Sequence, residues 1–175
     1  MIHLCEREIG FDAVEIGFPS VMGCRAIVLV TTGGLFGYHL NGNLNPTKLA
    51  ALVNFINQHA HAGAGRMLYA ASAGNGLQQD HDELGQIAAE LNYDGPIYWV
   101  NLPPAGSFYV HFQDINHNTC TITSRAWSDA MDNVAANKAN YVVGPDRAIA
   151  NGAPNAQMFV NLGTAGLTAV YPSQI

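Results

Sequence analysis

Apolar residues in this chain fall into short alternating or continuous stretches, joined by three longer stretches with helical spacing. Asp12 to Gly17 reads as a short strand, followed by a turn at Pro19-Ser20. Arg25 to Val30 is a β-branched strand, and Thr31-Thr-Gly-Gly34 turns it into a second strand, Leu35 to Asn41. A helix then starts with Asn45 as its cap and Pro46 at its first position. Leu49, Leu52, Val53 and Ile56 recur at helical spacing, and Gly63 and Gly65 stop it. Met67 to Ala71 is a small strand, and Leu77 to Leu91 a second helix with Ile87, Ala88 and Leu91 turned inward. Strands follow over Pro96 to Asn101, Ser107 to Gln113 and Thr119 to Thr123. Ala126, Trp127, Ala130, Met131 and Val134 fit a third helix that opens after Thr123 or Ser124. Tyr141 to Val143, Met158 to Asn161 and Leu167 to Tyr171 close the series as strands. The strands and helices do not alternate strictly as βαβ, so a doubly wound fold is disfavoured. The pattern predicts an α+β fold, a mixed or antiparallel β-sandwich flanked by helices.

The 175 residues suit one domain spanning 1–175. Only 11% of the residues are charged, against roughly a quarter in an average globular protein, and sixteen Asn and eighteen Gly take their place. Seven Lys and Arg stand against thirteen Asp and Glu, for a net charge of −6. No cationic cluster is present to track phosphates or an anionic bilayer, which argues against nucleic-acid and membrane partners. The longest strongly apolar run, Ala26 to Val30, is too short to span a bilayer, and residues 1–8 lack the pattern of a secretory signal. Cys5, Cys24 and Cys120 cannot all pair and match no zinc spacing. They read as reduced thiols in a reducing, cytoplasmic compartment, or in a chain delivered into a target cell without a classical signal. A monomer is expected.

The informative segment is Gly17-Phe-Pro-Ser-Val-Met-Gly-Cys24 and the hairpin after it, which ends Tyr38-His39-Leu-Asn41. If residues 31–34 form the loop, Val30 pairs with Leu35, Val28 with Gly37, Ala26 with His39 and Cys24 with Asn41. Side chains alternate along a strand, so Cys24, Ala26, His39 and Asn41 share one face, with Cys24 and His39 as diagonal neighbours. A thiolate is the reactive form of cysteine, and a nearby imidazole generates it by taking the proton. Gly23 lets a substrate carbonyl approach the backbone, and N–H groups at Gly23 and Cys24 are the candidate oxyanion donors. Gly37 is expected to open a groove on the same face. Ile27, Leu29, Phe36, Tyr38 and Leu40 form the opposite face and are expected to supply the core packing. The competing reading is structural: a cysteine beside a strand is most often a small buried hydrophobe, and one extra turn residue would separate the pair.

A Gly-Cys opening one strand, with a His fifteen residues later on its neighbour, resembles the bacterial cysteine-dependent glutamine deamidases. That superfamily includes the catalytic domain of cytotoxic necrotizing factors, Burkholderia lethal factor and the CheD-type chemoreceptor deamidases. The resemblance covers roughly residues 17–42. It implies a β-sandwich flanked by helices, no cofactor, and hydrolysis of a glutamine side chain in a protein substrate by a bacterial toxin or effector. Cys24 becomes the nucleophile and His39 the general base. The toxin form carries Leu-Ser-Gly-Cys where this chain has Val21-Met22-Gly23-Cys24, and some members place a Thr where Phe18 stands. Ser20 and Asn41 are the substitutes for that third group. Other members orient the imidazole with a backbone carbonyl. The alternatives are another thiol hydrolase, a protease or transglutaminase, and a non-enzymatic protein-binding module.

Gly74-Asn-Gly76 lacks both the third glycine of a dinucleotide loop and a Walker lysine, so it reads as a strand-to-helix turn. The seven histidines are not spaced as metal ligands: His59 and His61 diverge on a helix and complement its negative end, and His81 is solvated. His111 reads as a hydrogen-bonded core histidine, and His117 as a loop residue.

Overall fold

In the computed structural model, residues 1–59, 62–73, 77–127, 140–145 and 166–175 are described. Twelve strands and two helices occur among them. The elements are β1 (Ile2–His3), β2 (Glu8–Asp12), β3 (Glu15–Val21), β4 (Cys24–Thr31), β5 (Gly34–Asn41), α1 (Pro46–Gln58), β6 (Gly65–Ala73), α2 (Leu77–Glu90), β7 (Ile97–Leu102), β8 (Phe108–Asp114), β9 (Cys120–Ala126), β10 (Tyr141–Val143), β11 (Thr168–Ala169) and β12 (Ser173–Gln174). One sheet runs β1-β3-β8-β9-β11 and the other β10-β2-β5-β4-β6-β7-β12. Both are mixed: β1 pairs parallel with β3 and β6 parallel with β7, while the remaining pairs are antiparallel. The fold is therefore α+β, two sheets flanked by helices, as the pattern predicts. The parallel β6–α2–β7 crossover is a βαβ unit set within this otherwise antiparallel plan.

Two apolar layers hold the structure together. Between the sheets, Ala26, Val28, Val30 and Leu35 of the hairpin meet Ile16, Phe18, Val110, Phe112 and Ile122 of the five-stranded sheet. On the other side of the seven-stranded sheet, Ile27, Leu29, Phe36, Tyr38 and Leu40 meet Leu52 and Phe55 of α1 and Leu84 and Ile87 of α2. Both faces of β4 and β5 are thus core, so the two-sided contrast expected for the hairpin is replaced by a doubly covered one. Continuous apolar runs are the signature of such strands. Gly37 opens no groove: a Cβ there would lie 2.7 Å from Leu4 Cδ1 and 2.9 Å from Phe18 Cζ.

Helix α1 starts as its sequence dictates. The Asn45 side chain accepts a hydrogen bond from Lys48 N at 2.9 Å, and Pro46 opens the helix. At the other end His59 is the cap, its Nδ1 donating to Phe55 O at 2.9 Å.

Other expectations are corrected. Pro19-Ser20 is not a turn: β3 runs through to Val21, and a bulge between Phe18 and Val21 absorbs the irregularity, with Ser20 at φ 62°. The single strand read at Asp12–Gly17 is the end of β2 and the start of β3. β9 continues to Ala126, so the start given to a third helix is strand. Its positions from 128 onward, His61, Gly74 to Gly76 and the strand at Met158–Asn161 lie outside the described residues. Among the described residues no helix is long and apolar enough to cross a membrane.

Candidate active site

The β4–β5 register is the one the hairpin arithmetic predicts: Cys24 pairs with Asn41, Ala26 with His39, Val28 with Gly37 and Val30 with Leu35. Thr31 also pairs with Gly34, which shortens the loop to Thr32-Gly33. Thr31 Oγ1 closes it, donating to Gly34 O at 2.9 Å and accepting from Gly33 N at 3.3 Å. Adding one closing pair leaves every other partner unchanged, so Cys24, His39 and Asn41 share a face.

That face is the interior of the sandwich. His39 is 0% exposed, its ring edge-on to Phe18 with centroids 5.8 Å apart. His39 Nδ1 lies 2.9 Å from the Leu4 carbonyl. A carbonyl oxygen only accepts, so Nδ1 carries the proton, and in the neutral ring Nε2 is the acceptor. Cys24 lies where the chain leaves the five-stranded sheet at β3 and enters the seven-stranded sheet at β4. The crossing is Met22-Gly23, with Met22 62% exposed and Cys24 8%. A Cβ on Gly23 would meet nothing within 4 Å, so this backbone is open to an approaching group.

Asn41 is half-buried, and its carbonyl accepts from Lys48 Nζ at 2.6 Å. Ser20 is exposed at the β3 bulge, where its hydroxyl accepts from Ser107 Oγ at 3.4 Å. The group that orients His39 is thus the Leu4 carbonyl.

The sequence reading missed two sets of residues. The turn from Leu4 to Glu8 lies against the pair: Arg7 N donates to His39 O at 2.7 Å, and the negative charge of Glu6 favours the protonated Cys24 thiol. The only signal was an unusual concentration of charge, Glu6-Arg-Glu8, in a weakly charged chain. Behind Cys24, on the helix side of β4, Arg25 donates from Nε to Asp80 and from Nη1 to Gly42 O at 2.8 Å, and its Nη2 lies 3.0 Å from Glu83. Glu83 Oε1 accepts from Leu44 N at 2.7 Å, and Lys48 Nζ from α1 donates to Asn43 O at 2.8 Å. All four ionic side chains are buried, and together they fix the Gly42–Leu44 loop after the site strand. An Arg placed directly before the apolar run Ala26 to Val30, within the same strand, would have been the clue.

Burial pushes the Cys24 thiol up to about 12, with Glu6 adding to the rise and Arg25 and Arg7 opposing it. The expected activated thiolate is therefore not the resting state. The thiol is protonated at neutral pH. Burial likewise pushes Cys120 and Tyr38 up to about 12. Between the thiols' ordinary value of 9.0 and about 12 the unfolded chain has lost protons that the folded chain keeps. The two thiols therefore leave stability unchanged below pH 9.0 and lower it as pH rises toward 12. The urea midpoint is expected to decline only in that window, and a decline beginning at neutral pH would contradict it.

His111 Nε2 lies 3.1 Å from Glu15, with burial lowering its pKa against the pull of that carboxylate, and His117 pairs with Asp114 at 2.5 Å. His81 is not simply solvated, since its ring meets Trp99 edge-on at 5.7 Å. Among the described residues no group of three or more His, Cys, Asp or Glu could hold a metal ion. Compared with models of known protein families and with curated proteins, the chain matches none.

Proposed function

We propose that this chain is a cysteine-dependent amide hydrolase that converts a glutamine side chain of a protein substrate to glutamate, in the manner of the bacterial deamidases its Gly23-Cys24 and His39 resemble. The observation that supports this most is the β4–β5 register, which sets Cys24 diagonal to a His39 whose Nδ1 is committed to the Leu4 carbonyl. A histidine held this way presents Nε2 as a base in a fixed orientation. His39 takes the thiol proton as Cys24 sulfur attacks the carboxamide carbon. Backbone N–H groups at Gly23 and Cys24 receive the oxyanion. The proton passes to the departing ammonia, and His39 then activates a water that cleaves the thioester, leaving glutamate and the thiol.

The test is intact mass and peptide mapping of glutamine-bearing proteins and peptides incubated with the chain, with Cys24→Ser as the control. Conversion adds about one dalton per glutamine through the thioester route and disappears in Cys24→Ser. Backbone cleavage or amine incorporation would instead identify a protease or a transglutaminase. The complete burial of His39 favours one other reading, a protein-binding module in which Cys24 and His39 are packing residues. Wild type and Cys24→Ser that are equally inert on every glutamine substrate would establish that reading and overturn deamidation.

A further inference from the structure

A cleft of about 440 Å³ opens at the hairpin-loop end of the seven-stranded sheet, where α1 and α2 both finish. That volume lies in the range of small-molecule sites. Buried Leu29 and Thr31 of β4 line it, with half-buried Ile56 and Leu91 beside them. Cys24 is far away: Thr31 stands seven residues along β4 from it, about 23 Å at strand spacing. The walls of the cleft are fixed. Helix α2 ends on Asn92 at φ 49°, with Tyr93 N donating to Ala88 O at 2.8 Å and Asn92 N to Ala89 O at 3.1 Å. Tyr93 Oη donates to Pro96 O at 2.7 Å, which holds its ring at the cleft. Gly65 makes room for that ring: a Cβ there would lie 3.0 Å from Tyr93 Cδ2 and 3.2 Å from Leu29 Cδ1. Thr32 N secures the adjoining rim by donating to Ala64 O at 3.2 Å.

The charge of this cleft is one-sided. Glu90 and Asp94 line it, and among the described residues neither has an ion-pair partner. None of its described lining residues is Lys, Arg or His. Both helices bring their negative ends to it, and neither carries a basic residue in its last turn. Asn57 and Asn92 add amide oxygens that accept hydrogen bonds. A metal ion is a poor match, since among the described residues no group of three or more His, Cys, Asp or Glu could hold one. An alkylammonium group fits. Its N–H donors suit carboxylate and amide oxygens, its methylenes suit Leu29, Ile56 and Leu91, and a tyrosine ring attracts a cation. We propose that the cleft between the ends of α1 and α2 is a binding site for an alkylammonium group, carried by a protein lysine or by a free amine. The cleft supplies the enclosure and the carboxylates the sign of charge, so the site stands whether or not Cys24 is a nucleophile.

Titration of the isotope-labelled full chain with n-butylammonium, acetyl-lysinamide, n-butanol and calcium, followed by amide chemical shifts, tests this. Both ammonium probes are expected to shift Gly63, Gly65, Asn92 and Tyr93 with dissociation constants on the order of 1–10 mM, and to leave Cys24 and Gly37 unmoved. Butanol lacks the charge and calcium lacks the apolar stem, so each is expected to bind at least about tenfold more weakly. In the double variant Glu90→Gln, Asp94→Asn, ammonium affinity falls on the order of tenfold. Both carboxylates are exposed and each substitution keeps the shape, so the variant is expected to fold. Added salt weakens ammonium binding to wild type, which tests the charge with no substitution at all. Tighter binding of acetyl-lysinamide than of butylammonium identifies a protein lysine as the source, and the reverse order a free amine; either supports the site. It is overturned by ammonium probes that leave the cleft unshifted, by an equal response to butanol or calcium, or by an affinity indifferent to the double variant and to salt. Glutamine conversion does not enter the readout, so failure of the proposed reaction and failure of this site are seen separately.

Discussion

Replacing Arg25 with Met is expected to destabilise the protein by about 3–5 kcal/mol, the usual penalty for stranding buried charge. The guanidinium neutralises Asp80 and Glu83, both almost fully buried, and also caps Gly42 O. Methionine fills much the same volume, so most of the loss comes from two carboxylates left without their cation. The triple variant Arg25→Met, Asp80→Leu, Glu83→Met is therefore expected to recover most of the loss, because a buried ion cluster rarely outperforms apolar residues of similar size. Urea unfolding of the two variants decides the point. A single variant within 1 kcal/mol of wild type would show that water reaches the cluster, far below the roughly 3–5 kcal/mol expected for a dry site.

The second large effect concerns His39. His39→Asn is expected to lower deamidation on the order of 10²–10⁴-fold while leaving the fold intact. An asparagine amide nitrogen can take the place of Nδ1 and keep donating to Leu4 O, but the base at Nε2 is gone. His39→Ala removes both, so it should lose activity similarly and also cost about 1–3 kcal/mol for the stranded Leu4 carbonyl. Thermal unfolding and glutamine conversion measured on the same preparations separate the two contributions. Undiminished conversion by His39→Asn would remove His39 from the reaction.

The hairpin was legible because its geometry is local. Turn residues at Thr31 to Gly34 and an even count on either side fix which residues pair, and the closing Thr31–Gly34 pair preserves that parity. The start of α1 was legible for the same reason, since Asn45 and Pro46 act within one turn. The identity of the site face was harder to read. Ala26, Val28 and Val30 are as apolar as Ile27 and Leu29, and only the second sheet shows that both sets are core. Pro19-Ser20 carries turn chemistry that a bulge uses equally well. Residues 4–8 and the Arg25, Lys48, Asp80 and Glu83 cluster depend on contacts between distant segments, which no local pattern encodes.

The bracing of the Leu4–Glu8 turn also orders events during folding. The β4–β5 hairpin closes through a two-residue loop, an event of ~1–10 μs that needs nothing else of the chain. The turn bearing Glu6 waits for partners much farther along: β2 pairs with β10, and Gly144 N meets Arg7 O. Such distant closures carry the larger entropic cost and come late. A nascent chain that has emerged only as far as α2 already holds Cys24 and His39 on adjoining strands, but without the contact of β10 and Gly144 against the first turn. The sulfur acquires its final surroundings only after residues 141–144 have joined the first turn.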